Sequence, residues 1–501
     1  MLNAEVNLIF YFLSLIFAFF SRKIFLNNLG ADFIGLTGTL GNILGYLNLA
    51  ELGIGSCISI FLFKPLQSNN REIINEIISI IGYLYRCIGT IILCTGIIIS
   101  LCLPFIFENE KIEIEIILFA FYSFLGSSLI GYFINYRQII LSADQRNYIV
   151  SAYFQTADII KKIVQIFLVY YYKNMYLWVA IEFVFGVFNC IILNWKINKE
   201  YPWLKSEKSK GKKLLKKYPN ILVNTRQIFI HKIKDFLLNK SDELFVFMFV
   251  SLEMVAFYGN YTIIISKITQ LFGRAQDGIG ESVGNLVAEN NKNKIVGIFW
   301  ELMSIKYLIA GFTCFTIYHF TEPLIALWLG EQYVLPHVII VLLSIYIYIS
   351  NTRGIVDMYN HAYGLYADTW SAWTELIINI LITFVLGYRF GIIGILLGKL
   401  ISTGIIVVFW KPYYLFSSGL KLPFSIYWKG CIRYHVIIAI SFFASNIICR
   451  FSPINPTDSI LSLSMYCIIS LIPFISMMFG GFLFFSFGTE DIIKRIKNRQ
   501  S

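Results

Sequence analysis

Long apolar segments, separated by short polar ones, run through this chain from end to end. Fourteen of them are long enough to cross a hydrocarbon core of about 30 Å as helices, which takes about 20 residues each. They cover residues 6–26, 35–62, 79–103, 113–135, 149–171, 176–196, 225–250, 254–288, 297–321, 335–357, 370–388, 391–411, 431–450 and 460–487. The pattern predicts an all-α polytopic membrane protein with about fourteen transmembrane helices. The least typical segment is 225–250, because it contains five ionisable residues between His231 and Lys240.

The amino-acid composition supports the same class. Apolar residues make up 57% of the chain and charged residues 14%, whereas soluble domains average about 25% charged residues. The nine cysteines are scattered, mostly within apolar segments, and form no CxxC pair. We therefore expect no disulfide framework, no metal site and no cofactor.

Lysine and arginine concentrate in every second connection between the predicted helices. These connections contain Lys64, Arg71, Arg137, Arg146, the basic segment from Lys196 to Lys217, Lys292, Lys294, Lys411, Lys421 and Lys429. Because cytoplasmic loops carry an excess of Lys and Arg, both chain termini are predicted to be cytoplasmic. The same bias explains most of the net charge of +11. No basic-aromatic module accompanies it, so we expect no nucleic-acid partner.

Two short sequence matches indicate an internal duplication. Gly53-Ile54-Gly55 returns as Gly278-Ile279-Gly280, 225 residues later, and the motif ending at Asp144 returns as the one ending at Asp368, 224 residues later. Six spans restore the starting side of the membrane, so the two halves are predicted to be parallel repeats. The predicted domains are a six-helix lobe at 1–197, a basic cytoplasmic linker at 198–224, a second six-helix lobe at 225–411, and two further helices with a basic tail at 412–501.

Ionisable residues within the apolar segments form stripes at helical spacing. Lys267, Arg274 and Glu281 are seven residues apart, and Arg353 and Asp357 are four apart. A charge at the bilayer centre costs about 2.5–3.5 kcal/mol on insertion scales and is usually functional or paired. Some of these residues, such as Arg353 and Asp357, are also spaced for local pairing that would only fix helix packing. Stripes on several helices of both halves favour a hydrated cavity.

The charges of the candidate cavity residues lean positive. The cationic candidates for substrate binding are Arg22, Lys23, Arg86, Lys162, Lys267, Arg274, Arg353 and Lys399. The acidic candidates for ion coupling or gating are Glu51, Asp277, Glu281, Asp357 and Glu375, with Asp158 alongside. A positive cavity would attract an anionic solute, and arginine is suited to bidentate contacts with phosphate. The carboxylates could bind a coupling Na⁺ or H⁺.

Several stretches resemble the bacterial oligosaccharide repeat-unit flippases. They are LGADFIGL at 29–36, LAELGIG at 49–55, KPL at 64–66, SD at 241–242, GNYT at 259–262 and VGNLVAE at 283–289. These flippases are the Wzx-type polysaccharide biosynthesis proteins of the multidrug/oligosaccharidyl-lipid/polysaccharide (MOP) exporter superfamily. The similarity covers nearly the whole chain.

The resemblance implies a fold of two six-helix lobes forming a V, with two additional C-terminal helices. It implies a non-enzymatic flippase of the bacterial inner membrane that moves undecaprenyl-diphosphate-linked repeat units for O-antigen of lipopolysaccharide, capsule or exopolysaccharide by alternating access. Membrane lipids, a polysaccharide polymerase and a chain-length regulator would be its partners. In related lipid flippases a basic residue of the first helix helps hold the pyrophosphate. Arg22 is the matching residue here, and Asp32, its acidic neighbour across the turn, is a further candidate for ion coupling or gating.

Two other functions are alternatives. A multidrug or small-solute cation antiporter of the same superfamily would favour a more apolar or acidic cavity, and it would not need the two extra C-terminal helices. A membrane polysaccharide polymerase or ligase would need a large outer loop with catalytic residues. The predicted outer loops are short, and the five histidines lie far apart in the sequence.

Overall fold

A computed structural model describes residues 2–48, 54–144, 146–274, 283–284, 286–287, 289, 291–365, 368–486 and 488–489. All regular secondary structure in these ranges is helical, which confirms the predicted all-α polytopic fold. The chain folds into two compact units, Met1–Ala256 and Phe257–Ser501.

The first unit contains ten helices and the start of an eleventh among its described residues. They are α1 (Leu2–Leu29), α2 (Ala31–Leu47), α3 (Ile54–Gln67), α4 (Arg71–Ile106), α5 (Ile114–Ile134), α6 (Ile139–Ala143), α7 (Asn147–Tyr172), α8 (Met175–Glu200), α9 (Gly211–Lys217), α10 (Asn220–Phe249) and α11 (Leu252–Arg274). Short 3₁₀ turns at Asn135–Gln138 and Lys208–Lys210 connect α5 to α6 and precede α9.

The described part of the second unit contains seven further helices. They are α12 (Lys292–Trp328), α13 (His337–Ala362), α14 (Thr369–Phe390), α15 (Ile392–Thr403), α16 (Lys411–Tyr414), α17 (Phe424–Arg450) and α18 (Ile460–Phe485). Two π-helical segments, Gly404–Trp410 and Leu415–Leu420, flank α16, so the chain stays helical from α15 to Leu420.

Ten helical stretches of the described residues are long and apolar enough to cross a membrane. Each overlaps one of the fourteen segments predicted from the sequence. The other four segments correspond to α2 with α3, α7, α10 and α11, where charged residues or short helices interrupt the apolar pattern. Many large apolar side chains lie on the surface, including Phe105 (80% exposed), as expected of helices that face acyl chains.

Short polar side chains begin several helices. The side chains of Asn70, Asn174, Asn291 and Ser459 each accept a hydrogen bond from a backbone N–H of the first helical turn. These residues satisfy amides that have no partner within the helix, which is the usual role of an N-cap.

The helix α10 packs against α2 and α3 in the first unit. The amide of Asn42 donates to the Glu243 carboxylate, and the rings of Tyr46 and Phe236 meet edge to face. The boundary between the compact units falls after Ala256, whereas the sequence places the start of the second lobe at 225. The assignment of α10 to a lobe stays a prediction.

The two C-terminal helices pack on α12. Phe315 stacks on Phe474 with ring centroids 4.1 Å apart, and Gly430 lies so close to Trp300 that a Cβ there would be 2.2 Å from the indole. The predicted additional helices are therefore part of the core of the second unit.

The basic linker docks on the first turns of α4. The backbone N–H of Lys205 donates to the Asn75 side chain and that of Glu207 to the Ser79 hydroxyl, both at 2.9 Å. Lys217 pairs with Glu76 at 2.8 Å. Since α4 has 36 residues, it is about 54 Å long, which leaves turns outside a bilayer for the linker to cover.

The duplicated aspartates have similar partners within their own units. Asp144 accepts a hydrogen bond from Tyr201, directly after α8, at 2.7 Å. Asp368 accepts hydrogen bonds from Trp410 at 3.1 Å and from Lys411 at 2.7 Å. Asp144 thus ties its connection to the end of α8, and Asp368 ties its connection to the middle of the helical stretch that runs from α15 to Leu420.

Candidate functional site

A charged cluster connects α7 to α8 in the first unit. The Lys161 ammonium lies 2.9 Å from Asp158 and 2.7 Å from Glu182, and Lys162 lies 2.7 Å from Asp158. Gln165, which is buried, donates to the second oxygen of Glu182 at 3.0 Å. Two lysines balance two carboxylates here, so the cluster is neutral as a whole. Lys162, a predicted substrate-binding residue, is paired locally in the way its spacing allows.

A polar cavity of about 240 Å³ lies beside this cluster. Its polar lining consists of the amides of Asn48, Asn135, Gln138 and Asn189 and the hydroxyls of Tyr85, Ser127, Ser128 and Tyr132. A second cavity of about 130 Å³ is lined by Asp158, Lys161 and Glu182. The two share Ser127, Phe154, Gly186 and Asn189, so they adjoin each other.

A glycine makes room for this cavity. A Cβ added at Gly186 of α8 would lie 2.0 Å from the Ser127 hydroxyl oxygen of α5. Asn48, at the end of α2, accepts hydrogen bonds from Ser128 at 3.2 Å and Tyr132 at 3.1 Å. The amide of Asn135 is 2% exposed, and neither its nitrogen nor its oxygen has a hydrogen-bond partner. The cavity therefore ends at a polar group that still has its hydrogen-bonding capacity.

Arg22 and Asp32 lie near α11 and the α4–α5 loop respectively. The Arg22 guanidinium donates to the backbone carbonyl of Ala256 at 2.9 Å, and Lys23 is exposed. Burial and the nearby Asp32 carboxylate raise the pKa of Glu110. Arg22 thus connects the first helix to α11, while Asp32 lies beside a second carboxylate.

Arg86 belongs to a cation cluster that the sequence did not indicate. We use this name for Arg86 of α4, Arg137 of the 3₁₀ turn and Lys208 of the linker. Burial and the nearby Arg86 and Arg137 lower the pKa of Lys208. The Lys208 ammonium donates to the Phe133 carbonyl at 2.8 Å and lies 4.5 Å from the centre of the Tyr136 ring.

The hydrogen bonds of Arg137 go to neutral amides. Its guanidinium donates to Asn194 at 2.5 Å and to Asn198 at 2.9 Å. Since amide and carbonyl partners leave the positive charge uncompensated, the cation cluster favours an anion at this end of the unit. Charge alone could not identify the cluster in the sequence, because its members are about 50 to 70 residues apart along the chain.

The second unit contains charged side chains on four helices, and two of them, Glu375 and Lys399, are buried. Arg353 pairs with Asp357 on α13 at 2.6 Å, and Glu375 of α14, 1% exposed, lies within electrostatic range of Arg353. Lys399 of α15 is 7% exposed and lies 4.4 Å from the centre of the Tyr346 ring. A Cβ added at Gly354 would lie 3.4 Å from the ammonium of Lys306, on α12.

The structure describes only some of the remaining predicted residues. Lys267 lies half-buried on α11, and Arg274 is the last residue of that helix. Glu51, Asp277 and Glu281 lie outside the described residues. The roles assigned to all the predicted residues stay predictions. Among the described residues, no group of three His, Cys, Asp or Glu side chains is placed to hold a metal ion.

Comparison of the coordinates with solved structures gives the same architecture in several membrane transporters. A structure of the lipid II flippase MurJ in an inward closed conformation superposes with a TM-score of 0.66 at 14% identity, covering 94% of this chain and 97% of the flippase. An inward-facing multidrug resistance MATE transporter of the MOP superfamily gives a TM-score of 0.57 at 14% identity, covering 83% of this chain and 99% of the transporter. The chain therefore shares its fold with this flippase and this MATE transporter.

The shared fold is shown by structure and not by sequence. No family model matches the chain, and no curated protein matches it. The superposition on the flippase extends over a larger share of this chain than the superposition on the MATE transporter, 94% against 83%.

Proposed function

We propose that this protein is a flippase for undecaprenyl-diphosphate-linked oligosaccharide repeat units in the bacterial inner membrane. The product would serve the synthesis of O-antigen, capsule or exopolysaccharide. The sequence resemblance to repeat-unit flippases and the fold similarity to a lipid II flippase over 94% of the chain both support this proposal.

The observation that carries the proposal is the cation cluster of Arg86, Arg137 and Lys208. The hydrogen-bond partners of Arg137 and Lys208 in the described structure are neutral, so a diphosphate would supply the missing negative charge. The positive-inside pattern assigns this end of the first unit to the cytoplasm, where the loaded lipid is made. The cluster would therefore capture the diphosphate on the side where loading starts.

Charge-assisted hydrogen bonds can replace the hydration of the diphosphate during passage. Moving a diphosphate through hydrocarbon without such partners would expose charge in a medium that cannot solvate it. In the second unit, Lys306, Arg353 and Lys399 are further cations on helices that are long and apolar enough to cross a membrane. The prenyl tail would stay in lipid.

Net transport in one direction needs a source of free energy outside the binding site. A site that binds the load equally in both open states shifts no equilibrium. We propose that coupling to H⁺ or Na⁺ through carboxylates such as Asp357 and Glu375, or consumption of the exported unit by a polymerase under a chain-length regulator, sets the direction. Both termini would be cytoplasmic.

Deletion of the gene tests the proposal. In the deletion strain, lipid-linked repeat units should accumulate in the cytoplasmic leaflet and surface polysaccharide should disappear. An Arg86→Glu variant should reproduce the defect at normal membrane levels, whereas Arg86→Lys should retain most of the activity. Unchanged surface polysaccharide in the deletion strain would contradict the proposal.

A multidrug cation antiporter is the second candidate, because the chain also superposes on a MATE transporter with a TM-score of 0.57. Such an antiporter would bind organic cations at carboxylates, and the cation cluster would repel them. The same deletion strain separates the two functions. Increased sensitivity to cationic dyes with intact surface polysaccharide would favour the antiporter.

A further inference from the structure

The larger cavity of the first unit has a lining that is rich in hydrogen-bonding groups but has no charge. Four amides and four hydroxyls line it, and its described lining includes no Asp, Glu, Lys or Arg. The rings of Tyr85, Tyr132 and Phe154 supply flat apolar surface. A diphosphate would find no cation within this cavity, and a prenyl chain would bury the amides without partners.

Two of the amides are not satisfied by the protein. Both polar atoms of Asn135 and the oxygen of Gln138 are buried without a hydrogen-bond partner. Leaving a buried polar group unpaired costs free energy, so the structure favours an occupant that can both donate and accept. Sugar hydroxyls do both, and sugar rings stack on aromatic faces.

The size of the cavity suits a small polar occupant. Its volume of about 240 Å³ is compatible with a single sugar ring, and the adjoining cavity adds about 130 Å³. Phe154 is 37% exposed, and Ser127 and Ser128 are half-buried, so the cavity is reached from outside the unit.

The cavity also lies next to the cation cluster along the chain and in space. Arg86 follows the cavity residue Tyr85, and Tyr136, which lies under the Lys208 ammonium, follows Asn135. A sugar in the cavity and a phosphate at the cluster would therefore be neighbours, as they are in a sugar linked to a lipid diphosphate.

We propose that the cavity of Asn135 and Asn189 binds one neutral sugar ring of the lipid-linked oligosaccharide. This inference rests on the proposed flippase function and deepens it. The first unit then recognises the load by two chemistries, the diphosphate by charge and the sugar by amides and aromatic rings. The cavity thereby selects loaded lipid over bare undecaprenyl diphosphate.

The test compares two lipids in proteoliposomes that contain the full-length protein. One is the repeat-unit lipid that accumulates in the deletion strain, and the other is undecaprenyl diphosphate without sugar. The variants are Asn135→Leu and, as a control, Asn379→Leu, which removes an equally buried amide (2% exposed) from the second unit. Binding of a panel of methyl glycosides to the protein in nanodiscs is measured in parallel.

We expect Asn135→Leu to reduce transport of the repeat-unit lipid and glycoside binding at least tenfold, with transport of the sugar-free lipid unchanged. Equal loss for both lipids would show a structural role of Asn135 and overturn the sugar site while the flippase function stands. No change with either lipid would mean that the cavity holds water only, which also overturns it. If the unchanged protein moves neither lipid, the proposed function fails, and absence of glycoside binding then overturns the sugar site separately.

Discussion

Asp144 and Asp368 occupy matching positions of the predicted internal repeat, and each accepts a hydrogen bond from a residue later in its own unit, Tyr201 and Lys411 respectively. Burial and the Asp144 hydrogen bond raise the pKa of Tyr201. Burial alone would raise the pKa of Asp368, but hydrogen bonds from Lys411, Trp410 and Ser371 outweigh it and hold the pKa below its usual value. A single acidic residue thus anchors each of these two connections.

The Asp368 carboxylate should stabilise the protein in a pH-dependent way. Because the folded pKa is lowered, its contribution is present above the unfolded pKa of about 3.9 and is lost as the pH falls through the folded pKa. Asp368→Asn should therefore cost about 1–3 kcal/mol at neutral pH. Thermal unfolding in detergent, followed from pH 7 downward, measures the difference.

The difference in thermal stability between Asp368→Asn and the unchanged protein should become smaller below about pH 4. Asp458→Asn is the control, because Asp458 is exposed in the α17–α18 loop and should change stability little. A gap that is the same at all pH values would show that the charge of Asp368 does not contribute.

The Arg353–Asp357 pair allows structural pairing to be separated from substrate binding. The two side chains are 27% and 25% exposed, so removing one partner should cost less than the roughly 3–5 kcal/mol of a fully buried pair, whereas removing both can be nearly neutral. We expect Arg353→Ala to destabilise the protein and to reduce export, and the double variant with Asp357→Ala to recover stability but not export. Thermal unfolding and surface polysaccharide are the two measurements.

Recovery of both stability and export in the double variant would show that the pair only fixes helix packing. Lys162 offers a comparison within the first unit. It is also paired at the helical spacing of four, with Asp158, but in a cluster that Lys161 and Glu182 already balance.

Among the elements, the linker is bound to the protein and is not a free chain. The helix α9 is held on α4 through Glu76, which accepts hydrogen bonds from Lys217 and from Tyr218 at 2.6 Å. The side chains of Lys212, Lys213 and Lys216 are exposed. The linker therefore has a docked face and a basic outer face.

Loss of Glu76 should release the linker. Glu76→Ala removes the partner of both Lys217 and Tyr218, so limited proteolysis should cleave within residues 205–218 several-fold faster than in the unchanged protein. The double variant Lys213→Ala/Lys216→Ala removes only exposed charges and should alter neither cleavage nor export much. A strong export defect in that variant, with normal topology, would assign the outer face a role beyond docking.

Two glycines of α2, Gly35 and Gly41, have different surroundings. A Cβ at Gly35 would lie 1.8 Å from the backbone oxygen of Leu252, whereas a Cβ at Gly41 would meet nothing within 4 Å. Gly35→Ala should destabilise the protein by about 1–3 kcal/mol or more, because the backbone must move. Gly41→Ala, in the same helix, should be neutral or stabilise by up to about 1 kcal/mol. Equal unfolding temperatures for the two variants would contradict the contact with Leu252.

At the scale of the whole molecule, each compact unit surrounds charged or polar groups with apolar helices. The first contains the Asp158–Lys161–Glu182 cluster and the cavity beside it, and the second contains Arg353, Glu375 and Lys399. Charges at membrane depth are costly and are retained mainly for function or pairing. Both units thus have interiors suited to a polar load.

The membrane topology of the whole chain can be tested by labelling. In a cysteine-depleted protein, Asp458→Cys should react with an impermeant thiol reagent added to intact cells, whereas Lys213→Cys should react only after the membrane is opened. Both positions are exposed, so burial does not explain a difference. Labelling of Lys213→Cys in intact cells would place the linker outside.

The sequence alone determined the fold class and the approximate positions of most of the long helices. Lipid cannot form hydrogen bonds with the backbone, so each spanning segment must be a long apolar helix. Such segments can be recognised in the amino-acid sequence itself. Helix N-caps such as Asn70 and Asn174 depend on local spacing and are visible in the same way.

Only the tertiary structure decided which groups meet. Lys161 joins Glu182, Arg86 lies near Lys208, and the linker covers α4, since these contacts depend on how each helix is rotated and on which neighbour it has. The neutral amides of Asn135 and Asn189 could not be recognised from the sequence, because an uncharged amide on a single helix looks the same whether it packs or lines a cavity. Their chemistry appears only when five helices and a 3₁₀ turn enclose one cavity.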